Sequence, residues 1–306
     1  RRMMKNNLTR YAWLSIAAAI ATITLKSGAY LVTGSVGLLS DALESIINLV
    51  AAVIALWVLK IAAQPPDEGH TYGHGKVEYF SSGIEGAMII LAAVSICYAA
   101  VDRLIHPQPL EQIGIGLLIS IIATVINFVV ARILLRAGKE NHSIVLEADG
   151  HHLMSDVWTT VGVIFGIGLV YATGWWRLDP IMAILVAINI LWSGGKLINR
   201  SIQGLLDAAL PKDIHGKIVE ILDSYVKENE IDYHALRTRQ AGTYKFINVH
   251  ILVPGKWTVD QGHDLIEEIE GKLRSEIRNS VVFTHLEPIE SPVSYEDIDL
   301  IRAQNQ

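Results

Sequence analysis

The chain has 306 residues, 51% of them hydrophobic, and a net charge of −6. The acidic balance argues against a general nucleic-acid binder. The single cysteine, Cys97, excludes an intramolecular disulfide and any CxxC site, so a bound metal must use His, carboxylate and amide ligands.

The apolar excess is uneven: it lies before residue 206, and the last hundred or so residues read as an ordinary soluble domain. The opening Arg1-Arg2-Met3-Met4 leads into no signal-peptide core with a small-residue cleavage site, so the first apolar run is expected to be a retained span. A span needs roughly 20 mostly apolar residues. Six such stretches are predicted, at 11–32, 36–62, 79–104, 113–135, 143–172 and 180–202. Thr33-Gly34-Ser35 joins the first two, Pro65-Pro66 stops the second, and His106-Pro107-Gln108-Pro109 stops the third, because proline cannot continue a helix. Arg136-Ala137-Gly138-Lys139 reads as a basic break after the fourth, and Thr173-Gly174-Trp175-Trp176-Arg177 as an interfacial turn with an aromatic anchor.

Six spans put both termini on one side. Arg1, Arg2, Lys5 and Arg10 precede the first span, Lys60 and Lys76 flank the 62–78 loop, and Arg132, Arg136 and Lys139 flank the 136–142 loop. The other side carries mainly Arg103 and Arg177. The termini and these two loops are therefore expected to be cytoplasmic.

After Pro211 the pattern changes. Ile214, Ile218, Ile221, Leu222 and Tyr225 recur at helical spacing. Two alternating runs, 233–239 and 245–253, flank Ala241-Gly242-Thr243 and read as a hairpin. An amphipathic helix over 259–277 and a strand over 280–286 follow. The expected architecture is an α-helical polytopic membrane domain of six transmembrane helices (8–208), a small α+β domain of order αββαβ, ferredoxin-like (209–290), and a loose polar tail (291–306).

Two pairs of polar residues stand inside the apolar stretches. His152 and Asp156 are four apart, as are Glu44 and Asn48, so each pair leaves one face of a helix. Ionisable groups within a bilayer are costly and tend to be functional. If the two helices face each other, Glu, Asn, His and Asp atoms surround one point and form a mixed nitrogen and oxygen set. Such a set takes Zn and also admits Mn, Fe, Co or Ni. The competing reading is two unrelated pairs held by neighbouring helices, with Asn48 as interhelical glue. Ionised Glu44 and Asp156 bring a charge that a divalent cation neutralises. Without metal, burial favours their protonation, so protons and metal compete for one site, the physical basis of antiport.

Other candidates have two readings each. Asp41 and Asp149 either line a polar approach or bond neighbouring helices. His151 is turned about 100° from His152 and is not an equivalent ligand. Asp67, His70 and His74 either chelate or form a solvated loop. His234, His250, His263, His285 and Glu287 are either surface residues or a regulatory metal site. His285 and Glu287 share one strand face.

These residues resemble the cation diffusion facilitator family, in its bacterial YiiP-like branch of divalent metal/proton antiporters. The resemblance covers residues 10–290. It is carried by Gly37-Leu38-Leu39-Ser40-Asp41-Ala42-Leu43-Glu44-Ser45, by the loop from Pro65-Pro66-Asp67 through Tyr72-Gly73-His74-Gly75-Lys76-Val77-Glu78, by Ala148-Asp149 with His152 and Asp156, and by Gly204-Leu205-Leu206-Asp207-Ala208-Ala209-Leu210-Pro211. It implies a homodimer, a transport site at Glu44, Asn48, His152 and Asp156, and a loop site at Asp67, His70 and His74. It also implies a binuclear cytoplasmic site at His234, His250, His263, His285 and Glu287, and an interlock between Lys76 and Asp207. The family usually has His or Asp, then Asp, where this chain has Glu44 and Asn48. One acidic ligand fewer predicts weaker zinc affinity or broader selectivity.

The expected function is a secondary transporter in a bacterial inner membrane. It would export divalent transition metals (Zn, or Mn, Fe, Co, Ni, Cd) from the cytoplasm in exchange for protons, alternating access around the buried site. The metal is substrate and, in the cytoplasmic domain, regulatory ligand; nucleic acid is not an expected partner. A membrane metalloenzyme is the main rival, but it needs helical histidine boxes or HExxH, and the spans carry neither. A metal-gated channel is the second, and a receptor or scaffold, against which the buried four-ligand set argues, is the third.

Overall fold

The computed structural model describes residues 8–33, 36–106, 115–175, 177–228 and 230–296. The chain divides into two units, residues 1–205 and 206–306.

Among its described residues the first unit holds six long helices: α1 (Thr9–Thr33), α2 (Val36–Ala62), α3 (Val77–Ile105), α4 (Ile115–Asn141), α5 (Ile144–Thr173) and α6 (Leu178–Leu205). Among the described residues, four stretches lying in α3, α4, α5 and α6 are long and apolar enough to cross a membrane. Large apolar side chains point outward along them, among them Leu91, Tyr98, Val125 and Trp192. In water such a surface would be an aggregation hazard; facing lipid tails it is unremarkable.

The interior is lined by small residues. Ala12, Ala52, Ala55, Ala131 and Ala137 join Val145, Leu146 and Leu153 in a core shared by α1, α2, α4 and α5. Small side chains let helix backbones approach, which is how helices associate where no hydrophobic force drives them. Helices α3 and α6 approach closely. A Cβ on Gly86 would lie 2.8 Å from Ile198 Cγ1, and one on Gly194 would lie 3.2 Å from the Gly86 carbonyl oxygen.

The end of the fourth span differs from expectation. Helix α4 runs through the basic stretch 136–139 to Asn141, because Arg, Lys and Glu are good helix formers once outside the apolar layer. The turn that follows is at His142, in the left-handed region (φ 53). The proline break at 107–109 and the turn residues Gly34 and Ser35 lie outside the described residues.

The second unit has the order α7 (Lys212–Glu228), β1 (Asp232–Ala241), β2 (Tyr244–Val253), α8 (Val259–Glu276), β3 (Ser280–Pro288). The sheet order is β1-β2-β3, antiparallel then parallel. Strand β2 turns Ile247, Val249, Ile251 and Val253 towards Ile218 and Leu222 of α7 and Leu265, Ile269 and Leu273 of α8. Both helices therefore cover one face of the sheet, and the alternate residues of each strand lie on the other. Helix α8 begins with a capping box, in which Thr258 and Gln261 satisfy each other's backbone N–H groups. Where a loose tail was expected after Glu290, a short 3-10 helix, Pro292–Tyr295, packs with Ser294 buried. Residues 297–306 lie outside the description.

Candidate metal sites in the membrane and cytoplasmic units

Helices α2 and α5 bring the first candidate site together. Asn48 donates from Nδ2 to Asp156 Oδ2 at 2.6 Å, and its Oδ1 lies 2.7 Å from His152 Nε2. An amide oxygen only accepts, so His152 carries its proton on Nε2 in this arrangement. Asn48 and His152 are 6% and 7% exposed. One asparagine thus links both α5 residues from the facing helix, placing a nitrogen and two kinds of oxygen at one point. The same groups that bond one another here carry the lone pairs that could ligate a cation. Glu44 stands one turn before Asn48 in α2; its side chain, like that of Asp41, lies outside the described residues.

Other polar residues of the same unit bond between its helices. Asp149 is buried and bonded by Ser15 of α1, the helix-bonding alternative for that residue. His151 turns away, 3.2 Å from Ser193 Oγ of α6. Glu78 accepts from Ser143 at 2.9 Å, Glu147 pairs with Arg200, and Ser201 donates to the Tyr79 carbonyl. Sequence reasoning missed Glu85 of α3. It is 2% exposed, and neither carboxylate oxygen has a hydrogen-bond partner among the described residues. Its signal was available, as an acid in the middle of an apolar span.

The 62–78 loop brings Asp67, His70 and His74 together, with one ligand atom of each within 4.8 Å of the others. His70 N donates to Asp67 Oδ1 at 2.6 Å, and His74 Nε2 lies 3.2 Å from Asp67 Oδ2. The turn between them needs Gly73 at φ 84. The backbone hydrogen bond from His70, aided by the two imidazoles, holds the Asp67 carboxyl below its usual range. It is therefore ionised and ready to ligate.

In the second unit the strand register makes the site. His234 pairs with His250 across β1 and β2, and His250 with His285 across β2 and β3. Three histidines form a row across the helix-free face. Glu287, two residues beyond His285, shares that face and is 6% exposed. His234 Nε2 lies 2.8 Å from Glu287 Oε2 and 3.2 Å from His250 Nδ1. Glu287 turns its other oxygen, Oε1, to His285 Nε2 at 3.4 Å. A carboxylate shared in this way can bridge two ions. The irregular register between His234 and Arg237, with Ala235 at φ 49, is a bulge of the kind that re-aims a side chain beside a site. His263 stands apart from this row. It is 62% exposed on α8, whose buried residues pack on the opposite face of the sheet.

Lys76 donates to the Leu205 carbonyl at the end of α6 at 3.4 Å. Within the second unit, Asp207 accepts from Arg239 at 3.3 Å.

Residues 12–206 match the cation efflux transmembrane domain, and residues 210–289 match the cytoplasmic domain of cation efflux proteins. The chain is 51% identical over 289 residues to the uncharacterized transporter sll1263 of Synechocystis sp., covering 94% of this chain and 93% of that one. It is 31% identical over 278 residues to the cation-efflux pump FieF of Shewanella oneidensis, covering 90% and 92%. It is 29% identical over 281 residues to FieF of Citrobacter koseri, covering 92% and 93%. The chain belongs to the cation efflux, or cation diffusion facilitator, family, whose members are membrane transporters of metal cations and not enzymes.

Proposed function

We propose that the protein is a homodimeric antiporter of a bacterial inner membrane, with both termini cytoplasmic, that exports divalent transition-metal ions from the cytoplasm in exchange for protons. The observation that carries this reading is the link from His152 through Asn48 to Asp156 between two helices of the membrane unit. Glu44, one turn away on the face of Asn48, completes the proposed quartet. Metal ligands must be deprotonated to bind, so protons and metal compete for the His152 imidazole and the acidic members of the quartet. With a neutral amide where the family usually has Asp, the reading is of a site open to several of Zn, Mn, Fe, Co, Ni and Cd.

Asp67, His70 and His74 are the proposed loop site. His234, His250, His285 and Glu287, with His263 contributing separately, are the proposed regulatory metal site of the cytoplasmic domain (residues 209–290). Lys76 with Asp207 is the proposed interlock between the membrane domain (residues 8–208) and that domain; Lys76 already engages the chain at Leu205, two residues before Asp207.

The test is metal uptake into proteoliposomes, metal by metal, with and without an imposed pH gradient, for the wild type and Asp156→Ala. Gradient-dependent flux of one or a few metals, abolished by Asp156→Ala, is expected. Flux that ignores the gradient rejects antiport, and flux that survives the substitution rejects the quartet as the transport site.

A further inference from the structure

The row of histidines on the helix-free face of the sheet has a cover that no metal-ligand pattern would pick out. Beyond β3 the chain turns back over that face and is pinned along its length. Ile289 N donates to the Val253 carbonyl at 2.9 Å, and Ser291 N to the Pro288 carbonyl at 3.2 Å. Glu290 Oε2 accepts from Gly255 N at 2.8 Å. Ser294, 4% exposed, donates to the Pro288 carbonyl at 2.8 Å. Tyr295 closes the loop, its hydroxyl donating to the Ile289 carbonyl at 3.0 Å. This fixes the phenol ring edge-on to His234, with centroids 5.8 Å apart and planes at 79°. One side of Tyr295 is thus on the cluster and the other is in solvent, since the residue is 47% exposed.

His234 needs such a neighbour. A ligating histidine ordinarily donates its second ring N–H to a carboxylate, carbonyl or water, and that bond fixes the ring. His234 directs Nε2 at Glu287 and His250. Its Nδ1 is buried without a hydrogen-bond partner among the described residues. On the Nδ1 side the orientation of this imidazole is therefore held by packing, and the ring contact with Tyr295 is part of that packing. An edge-to-face contact of this sort adds to area burial and has a preferred geometry, so it can hold a ring angle as well as exclude water.

We propose that Tyr295 is the positioning residue and cover of the cytoplasmic metal site: it holds His234 in its ligating orientation and sets how fast a divalent transition-metal ion leaves the His234–His250–Glu287 cluster. The proposal rests on the reading of that cluster as a metal site. The ring supplies the effect; the hydroxyl only anchors it. The residue just upstream, Ser294, tightens the same segment without touching the cluster.

The test uses the full chain in detergent, with Asp156→Ala and Asp67→Ala present throughout to remove the other two sites, and Co(II) as the probe. Bound cobalt per protomer, its visible ligand-field bands and its release rate into excess chelator are measured for this background and for added His250→Ala, Tyr295→Ala, Tyr295→Phe and Ser294→Ala. His250→Ala is expected to lose cluster cobalt. Tyr295→Ala is expected to release it about tenfold faster or more, the scale on which outer-shell partners act, with altered bands. Tyr295→Phe should keep the bands, and Ser294→Ala should release at an intermediate rate. If His250→Ala loses no cobalt, the cluster is not a metal site and the proposal falls with that reading. If it does lose cobalt but Tyr295→Ala keeps the background's bands and release rate, the proposal alone is overturned.

Discussion

Asn48 separates the ligand reading from the glue reading by magnitude. It makes two hydrogen bonds to α5, and an interhelical hydrogen bond in a membrane averages about 0.6 kcal/mol. As glue, Asn48 would contribute on the order of 1 kcal/mol to stability, too little to stop folding. Asn48→Leu is therefore expected to leave the folded yield and melting temperature in detergent nearly unchanged while metal flux falls about tenfold or more. Flux at the wild-type level in a well-folded Asn48→Leu protein would reduce Asn48 to a spacer. The companion substitution, Asn48→Asp, adds a third acid to the proposed site, beside Glu44 and Asp156. It is expected to tighten zinc binding and to raise the number of protons released per metal bound, both readable by calorimetry in buffers of different ionisation enthalpy. A variant that binds zinc no better than the wild type would show that the amide is not what sets selectivity here.

At the scale of elements, long apolar runs and alternating strands were legible in the sequence because burial in lipid or on one face of a sheet imposes their length and period. Helix α2 begins and ends where its apolar run does, and β2 spans the residues that alternate. What the sequence hid is mutual placement. Nothing local states that His234, His250 and His285 fall in one row, because strand register is a property of pairs. Nothing local states that His263 faces away from them, or that residues 292–295 fold back over the row. The α3–α6 contact is of the same kind. Gly86 and Gly194 read as ordinary small residues until their helices meet. A Cβ on Gly194 would then be 2.9 Å from Ile90 Cγ1 and 3.2 Å from a backbone oxygen that cannot rotate away. Gly194→Val is therefore expected to destabilise by about 1–3 kcal/mol, the usual range for overpacking. Thermal unfolding of the purified protein should show a lowered midpoint. Gly195→Val makes the control one residue along, because nothing lies within 4 Å of a Cβ there. Equal midpoints for the two would mean that α3 and α6 are not packed at Gly194.

On the scale of the whole molecule, the question is what a metal ion on the cytoplasmic unit can do to transport in the membrane unit. The units join at Leu205 and Leu206, and Asp207, in the left-handed region at φ 57, turns the chain just beyond. A ligand shifts a conformational equilibrium only by the ratio of its affinities for the two states. Moving a population from one per cent to ninety-nine per cent needs a ratio of about 10⁴, or about 5.5 kcal/mol. A cluster whose outer member, His285, is 62% exposed keeps one ligand open to solvent, better matched to a ratio of about ten, worth about 1.4 kcal/mol. The expected behaviour is graded activation and not a switch. In proteoliposomes, the initial rate of the wild type should rise more steeply with metal than single-site saturation allows, as regulatory occupancy adds to substrate occupancy. The double variant His250→Ala/His285→Ala should follow a plain hyperbola, with a limiting rate lower by no more than about tenfold, since the proposed transport quartet is untouched. Superimposable curves for the two proteins would deny the cytoplasmic site any part in regulation. A double variant with no transport at all would mean that the histidine row is needed for assembly, and that metal there acts before transport begins.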